Sequence, residues 1–459
     1  VNEASERVYS LENDEGQTLE VTFRVYNDGI AFKYGLKAIS DEEHIINEYT
    51  AYALPQGSKR WIQQYDPGYE KFFPLSTDGK LANRPEVDLW GYPALIEPRD
   101  SVFVLITEAN IRRGHCGSFL YNGDNRDNYQ VRLGDKKLAF SGVWESPWRL
   151  LIAGSLADIT ESTLVTDVSD PSKVEDTEWI KPGMVSWIYW AYNHGSQDYQ
   201  IVKEYIDLAV KMKWSYDLID WEWDVMRNGG NIQDAVKYSL SQGVKPLVWY
   251  NSSTNWIGPG PLFRLNKKAD REKEYKWLSD MGVAGIKVDF FSGDSVSTMN
   301  YYIDLLEDAV KYKLMLNFHG ATIPRGWQRT YPHMMSVEGV YGAEWYNNTP
   351  VLTNRAAEHN ATLPFTRNVV GPMDYTPGTF SDSQHPHITS YGHELALPII
   401  FESALQHMPD RPSVYYDMPE PVKKLLSDLP AAWDDTKLLT GYPGMEVVMA
   451  RRKGDVWYI

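Results

Sequence analysis

The sequence predicts a multidomain protein, α/β plus all-β: a catalytic-type (β/α)8 TIM barrel preceded by an N-terminal β-sandwich and followed by the start of a C-terminal β domain. Three observations carry this. Apolar and polar residues alternate with period two from residue 1 to about residue 170. Short apolar runs then alternate with amphipathic helical stretches, and period-two alternation returns from about residue 426. The implied boundaries are 1–178 for the sandwich, 179–425 for the barrel and 426–459 for the last domain. Both flanking domains read as incomplete, since "VNEASERVYS" opens the chain and "VVMARRKGDVWYI" closes it inside strand-like patterns.

In "QTLEVTFRVYNDGIAFKYGL", Leu19, Val21, Phe23 and Val25 alternate with polar residues. Asn27, Asp28 and Gly29 supply turn chemistry, and Ile30, Phe32 and Tyr34 resume the alternation, so the stretch predicts a β-hairpin. The runs "SVFVLITEAN", "KLAFSG" and "PWRLLIAGSL" continue the β pattern. The polar, proline-bearing "VSDPSKVEDTEWIKPG" reads as a linker. Beyond it, "GMVSWIYW", "YDLIDWEWD", "KPLVWYNSS" and "GIKVDFF" predict strands, each followed by an amphipathic helix. "LMLNFHG", "HMMSVEG", "RNVVGPMDY" and "LALPIIF" complete eight strands. Repeated strand–helix–strand units force parallel pairing, and eight of them close a barrel. An open doubly wound sheet is the alternative; no glycine-rich phosphate loop follows a strand, which counts against it.

Composition narrows the function classes. A formal charge of −17 disfavours nucleic acid or an anionic membrane as partner, because both would repel the chain. No apolar stretch reaches the roughly 18–20 residues of a spanning helix, so membrane insertion is not expected. The single cysteine, Cys116, excludes an internal disulfide and a thiolate metal cluster. Aromatic residues make up 13% of the chain and many sit among polar ones, as in "SWIYWAYNHG" and "LIDWEWD". Such residues suit core packing and sugar-ring recognition equally.

Barrel enzymes place their chemistry at the carboxyl ends of the strands. Those ends hold Trp187 and Tyr189; Asp220, Glu222 and Asp224; Trp249, Tyr250 and Asn251; Lys287 and Asp289; Asn317 and His319; Glu338 with Glu344 beyond it; and Asp374. Taken singly, Asp289 reads as a site carboxylate somewhat ahead of a helix cap or a buried ion-pair partner of Lys287. Glu338 and Glu344 read as solvated loop acids, and His319 as a core histidine. Their convergence on one mouth reverses that, because clustered carboxylates persist only where cations, protons or a metal compensate. Glycoside cleavage needs such a set: one carboxylic acid to protonate the leaving oxygen and a second carboxylate to attack or to activate water. Asp289, walled by Phe290 and Phe291, is the candidate nucleophile, and Lys287 shares its face of the strand.

The motifs "SWIYWAYNHG", "GIKVDFF", "NFHGATIPRGWQRTYPHMMSVEGVYGAEW" and "TRNVVGPMDYTPGTF" resemble glycoside hydrolase family 97, exo-acting α-glycosidases with a sandwich, a barrel and a C-terminal β domain. The resemblance implies a choice between two branches. Inverting α-glucosidases carry base glutamates where this chain has Asn251 and Gly320, whereas retaining α-galactosidases place an aspartate where Asp289 stands. It implies Asp289 as nucleophile and Glu344 in "GAEW" as acid/base. It also implies Ca2+ held by Glu338, Glu344 and a sandwich carboxylate matched to Glu108 in "LITEAN". Lys287 and His319 match substrate-contacting positions, with Trp187, Asp220 and Trp345 as wall residues. The expected substrate is a terminal α-galactoside or galactose-bearing oligosaccharide, and the expected location is the bacterial periplasm or the exterior. The same resemblance admits a β-L-arabinopyranosidase or an α-glucosidase; a carbohydrate-binding protein without catalysis is the alternative of a different class. Oligomeric state is not readable from the sequence.

Overall fold

A computed structural model describes residues 2–382 and 385–459. The N-terminal half is β-rich. Twelve antiparallel strands form one hydrogen-bonded network, with the Leu89–Arg99 strand as one branch point, pairing with Val102–Ala109, Lys59–Gln64 and Ser118–Tyr121. The predicted hairpin is present: Thr18–Tyr26 pairs with Gly29–Lys37, in register Val25 to Ile30, so the turn falls at Asn27–Asp28. Trp61, Trp90, Leu105 and Leu150 are buried inside this half. The same apolar core runs on through Met315, Met335 and Phe401 of the barrel to Met449 of the last sheet, so the three regions pack on one another.

In the barrel, seven strands pair in parallel in the order Met334–Val337, Met315–Phe318, Gly285–Asp289, Lys245–Asn251, Tyr216–Ile219, Gly183–Trp187, Leu405–Met408. Local chemistry fixes the helices between them. Asp198 caps Tyr199–Met212 by accepting from the Gln200 and Ile201 amides, and Asn231 with Asp234 closes a capping box on Ile232–Ser241. Val202, Tyr205, Ile206, Ala209 and Met212 form the buried stripe of the first of these helices, the 3.6-residue period that binds it to the strands.

The end of the barrel departs from expectation. "RNVVGPMDY" forms no ladder: Arg367–Val370 is a 3-10 turn, and residues 371–374 have no regular secondary structure. It still bridges the seam, since the Asp374 amide donates to the Val337 carbonyl (3.0 Å) and the Met373 amide to the Glu402 carbonyl (2.8 Å). The buried Arg367 guanidinium closes the gap by donating to the carbonyls of Val337, Glu338, Gly339, Gly371 and Pro372. "LALPIIF" is not a strand but part of the helix Tyr391–Ile400, capped by Ser390; the last strand is Leu405–Met408. After it, Asp435–Tyr442, Glu446–Lys453 and Val456–Tyr458 form a three-stranded antiparallel sheet.

A buried chain of charges joins the β-rich half to the barrel. Arg149 pairs with Glu48 (2.5 Å) and Glu108, Glu108 with Arg325 (2.7 Å), and Arg325 with Asp294 (3.2 Å). The Tyr69 hydroxyl donates to Asp294 and accepts from Arg325, each at 2.7 Å. Asp294, second acid of "GIKVDFFSGD", is thereby structural.

Candidate active site

Alternation along the Gly285–Asp289 strand points Lys287 and Asp289 to the same face, the barrel interior. Lys287 Nζ lies 3.3 Å from Asp220 Oδ2, 3.8 Å from Asp289 Oδ2 and 4.6 Å above the Trp187 ring. Trp187 Nε1 donates to Asp220 Oδ2 (2.7 Å), and Trp249 Nε1 to Asp289 Oδ2 (3.1 Å). One oxygen of Asp289 is therefore engaged; among the described residues, Oδ1 makes no hydrogen bond. Burial raises the Asp289 pKa, an effect opposed by the charges of Lys287 and His319. The Lys287 ammonium, although buried, is held charged by Asp220 and Asp289.

Position 320 lies against this carboxylate. Gly320 has φ +47°, and a Cβ there would meet the Phe290 amide nitrogen at 2.9 Å and Asp289 Oδ1 at 3.0 Å. A side chain at 320 and an aspartate at 289 compete for one space. Asn251 is equally committed: its amide donates to the Trp256 carbonyl (3.1 Å), and its Oδ1 accepts from the Ser253 amide (2.8 Å). Neither position offers a base.

The second half of the site is acidic. The Gly320 amide donates to Glu338 Oε2 (2.6 Å), while His319 Nδ1 lies 3.4 Å from Glu338 Oε1 and 3.8 Å from Glu344 Oε2. His319 Nε2 lies 2.7 Å from Asp374 Oδ2. Glu344 stands on the short turn Ala343–Asn347 with 20% of its side chain exposed, so solvent and ligands reach it. Burial and the neighbouring Glu338 push its pKa up to about 8 against the pull of Lys287 and His319. Beside it, Trp345 Nε1 donates to Glu70 Oε1 (2.6 Å). Burial and the charge of Glu338 hold the Glu70 carboxyl well above its usual range.

The profiles of three glycoside hydrolase 97 regions match the chain: the N-terminal region over residues 1–171, the glycoside hydrolase 97 region itself over 182–340, and the C-terminal, oligomerisation region over 432–459. A probable retaining alpha-galactosidase of Streptomyces bingchenggensis is 34% identical over 467 positions, covering 99% of this chain and 70% of that protein. The chain belongs to the glycoside hydrolase 97 family. A retaining alpha-galactosidase of Bacteroides thetaiotaomicron is 29% identical over 96% of this chain and 72% of its own length. Among solved structures of the family's fold, a beta-arabinopyranosidase superposes with a TM-score of 0.93 at 30% identity, covering 99% of this chain and 77% of that one. A family 97 enzyme from Pseudoalteromonas in complex with panose superposes at 0.84 and 21% identity, covering 98% and 78%. This family 97 chain is thus a glycosidase.

Among the residues singled out in the sequence of this glycosidase, the structure gathers Lys287, Asp289, Asp220 and Trp187 into one group. His319, Glu338 and Glu344 form the adjoining group, with Trp345 at its edge. Glu108 does not join them. Its Oε1 accepts from the Ser118 amide and Arg325 and its Oε2 from the Ser118 hydroxyl and Arg149, so it has no oxygen left for a metal. A different carboxylate of the β-rich half, Glu70, lies near enough to Glu338 and Glu344 to feel their charges, and sequence reasoning missed it; the available signal was an acid set among aromatics in "DPGYEKFF". Trp249, which donates to Asp289, appeared in the sequence only as a strand-end aromatic without a role.

A metal site fits this geometry. One ligand atom each of His319, Glu338 and Glu344 lie within 4.8 Å of one another. Among the described residues, His319 Nδ1 and Glu344 Oε2 are buried without hydrogen-bond partners, and Glu70, Glu338 and Glu344 repel one another. An oxygen-rich, mutually repelling set suits a hard divalent cation.

Proposed function

We propose that this enzyme is an exo-acting retaining α-galactosidase, with Asp289 as nucleophile and Glu344 as acid/base. The observation that carries the reading is Asp289 itself: a strand-tip carboxylate with Oδ1 free, Lys287 3.8 Å from its other oxygen, and a glycine at position 320 where a catalytic base would collide with it. The similarity to two retaining alpha-galactosidases supports the substrate class.

In the first step Asp289 Oδ1 attacks C1 of the bound sugar, the C1–O bond breaks, and Glu344 gives its proton to the departing oxygen. Burial and Glu338 raise the pKa of Glu344, the direction a proton donor needs, and a bound cation works against that shift. Once Asp289 is esterified its negative charge is gone, and the pKa of Glu344 falls. Glu344 then takes a proton from water, the water oxygen attacks C1, and the C1–Oδ1 bond breaks. Two inversions restore the α configuration. Lys287 favours the ionised form of Asp289 against the effect of burial, and Trp249 orients it.

The reading includes calcium dependence, with Glu70, Glu338 and Glu344 as oxygen ligands beside His319. Bound calcium supplies positive charge that offsets the repulsion among these carboxylates. It also includes export to the periplasm or the exterior, where oligosaccharide substrates occur. A second reading, β-L-arabinopyranosidase, shares the mechanism, since that sugar has the ring hydroxyls of α-galactose without the exocyclic CH2OH; the TM-score of 0.93 to a beta-arabinopyranosidase favours considering it. Proton NMR of the first-formed sugar from 4-nitrophenyl α-galactoside and 4-nitrophenyl β-L-arabinopyranoside tests both. Release of the α-galactose anomer supports the proposal, faster arabinoside turnover supports the second reading, and a first-formed inverted product overturns the mechanism.

A further inference from the structure

One buried carboxylate lies outside the chemistry above. Asp374, at the end of the irregular segment 371–374, is 1% exposed, and its Oδ2 collects three side chains. Asn317 Nδ2 donates to it at 2.6 Å, His319 Nε2 lies at 2.7 Å and His407 Nδ1 at 2.9 Å. These come from two strands of the barrel, Met315–Phe318 with its loop and Leu405–Met408, so Asp374 stands where they meet the seam. The seam is itself rigid, pinned by Arg367 and by the Asp374 amide on Val337.

A carboxylate can only accept from an imidazole nitrogen that carries its proton, so this contact places a proton on His319 Nε2 and fixes the plane of the ring. The opposite nitrogen, Nδ1, is then turned toward Glu338 Oε1 and Glu344 Oε2. Among the described residues Nδ1 has no hydrogen-bond partner. A ring flipped about Cβ–Cγ would present carbon to these carboxylates and leave Asp374 facing carbon as well.

We propose that Asp374 is a positioning residue of this glycosidase, acting through His319 to hold the acid/base half of the site in register. The inference rests on the assignment of Glu344 as acid/base. Asp374 does not touch substrate; it acts on the step in which Glu344 delivers a proton, and leaves the attack by Asp289 to the Lys287 group.

Leaving-group dependence separates this role from a merely structural one, because a poorly placed acid matters most when the departing oxygen needs its proton. The experiment compares wild type, Asp374→Asn, His319→Gln and the double variant on an aryl α-galactoside with an acidic phenol and one with a weakly acidic phenol. Asp374→Asn is expected to lower kcat/KM for the weakly acidic phenol by about 10–100-fold and to spare the acidic phenol by at least about tenfold relative to that. The inhibition constant for free galactose should stay within about threefold, since the buried Asp374 reaches the site only through His319. The double variant should fall no further than His319→Gln alone, the mark of two residues acting as one unit. Equal losses on both phenols, or additive losses in the double variant, would overturn the inference. If Asp374→Asn does not fold, His319→Gln alone still decides: loss that ignores the leaving group counts against it. Failure of wild type to turn over either galactoside would instead strike the α-galactosidase reading, a distinct result.

Discussion

Replacing Lys287 by methionine isolates the electrostatics of the nucleophile. Methionine matches the length and apolar stem of lysine, so the packing over Trp187 survives while the charge is removed. At 3.8 Å from Asp289, and with an effective dielectric constant of about 20, the lost attraction is about 4 kcal/mol. At roughly 1.4 kcal/mol per pH unit, that raises the Asp289 pKa by about three pH units. The sign follows from the chemistry: Asp289 must be anionic to attack, Lys287 favours the anion, and its loss moves the acid limb of kcat/KM upward. Glu344 feels Lys287 in the same direction, so the alkaline limb also moves up, by less because Glu344 is not paired with Lys287. The assay is a pH profile of kcat/KM on 4-nitrophenyl α-galactoside, with far-UV circular dichroism as a check of folding. An acid limb that stays within about half a pH unit of the parent would refute the assignment of Lys287 as the group that keeps Asp289 ionised.

Other perturbations address separate parts of the account. Azide should rescue Asp289→Gly to give the β-galactosyl azide and Glu344→Gln to give the α-azide, with product stereochemistry read by NMR; the same anomer from both would undo the division of roles. Gly320→Ala should cost about 1–2 kcal/mol for a left-handed non-glycine residue and lower kcat by displacing Asp289, measured by urea denaturation and by kinetics. Arg325→Met strands Asp294 and half of Glu108 in the interior and should cost about 3–5 kcal/mol, again by denaturant unfolding. A strong chelator should lower activity and excess calcium restore it; indifference to both would remove the cation from the mechanism.

Much of the site was legible because its residues sit at the tips of strands whose apolar runs are unmistakable, as with Lys287 and Asp289 in "GIKVDFF". The first six barrel strands fall in the stretches their patterns predict. The last two do not, for physical reasons. "LALPIIF" is an apolar run that burial makes indistinguishable from a buried strand, although it is a helix containing Pro398. The true strand, Leu405–Met408, carries Gln406 and His407 into the interior, so its hydropathy hides it. Glu108 misled because a buried acid on a strand serves a metal or an arginine equally well in sequence. Only the positions of Arg149 and Arg325, distant along the chain, decide between them. Glu70 carried only the weak signal of its aromatic neighbours, for the converse reason: its loop reaches the barrel mouth only through the packing of the β-rich half, which no local pattern encodes.

The central claim is that Asp289 forms a covalent bond to the sugar. Incubating the enzyme with 5-fluoro-α-galactosyl fluoride, which slows breakdown of a glycosyl ester, followed by peptic digestion and tandem mass spectrometry, tests it most directly. The account predicts the fluorosugar mass on the peptide containing residues 285–294, attached at Asp289. Attachment at another carboxylate, or steady turnover of the reagent with no labelled peptide and an inverted product, would contradict it.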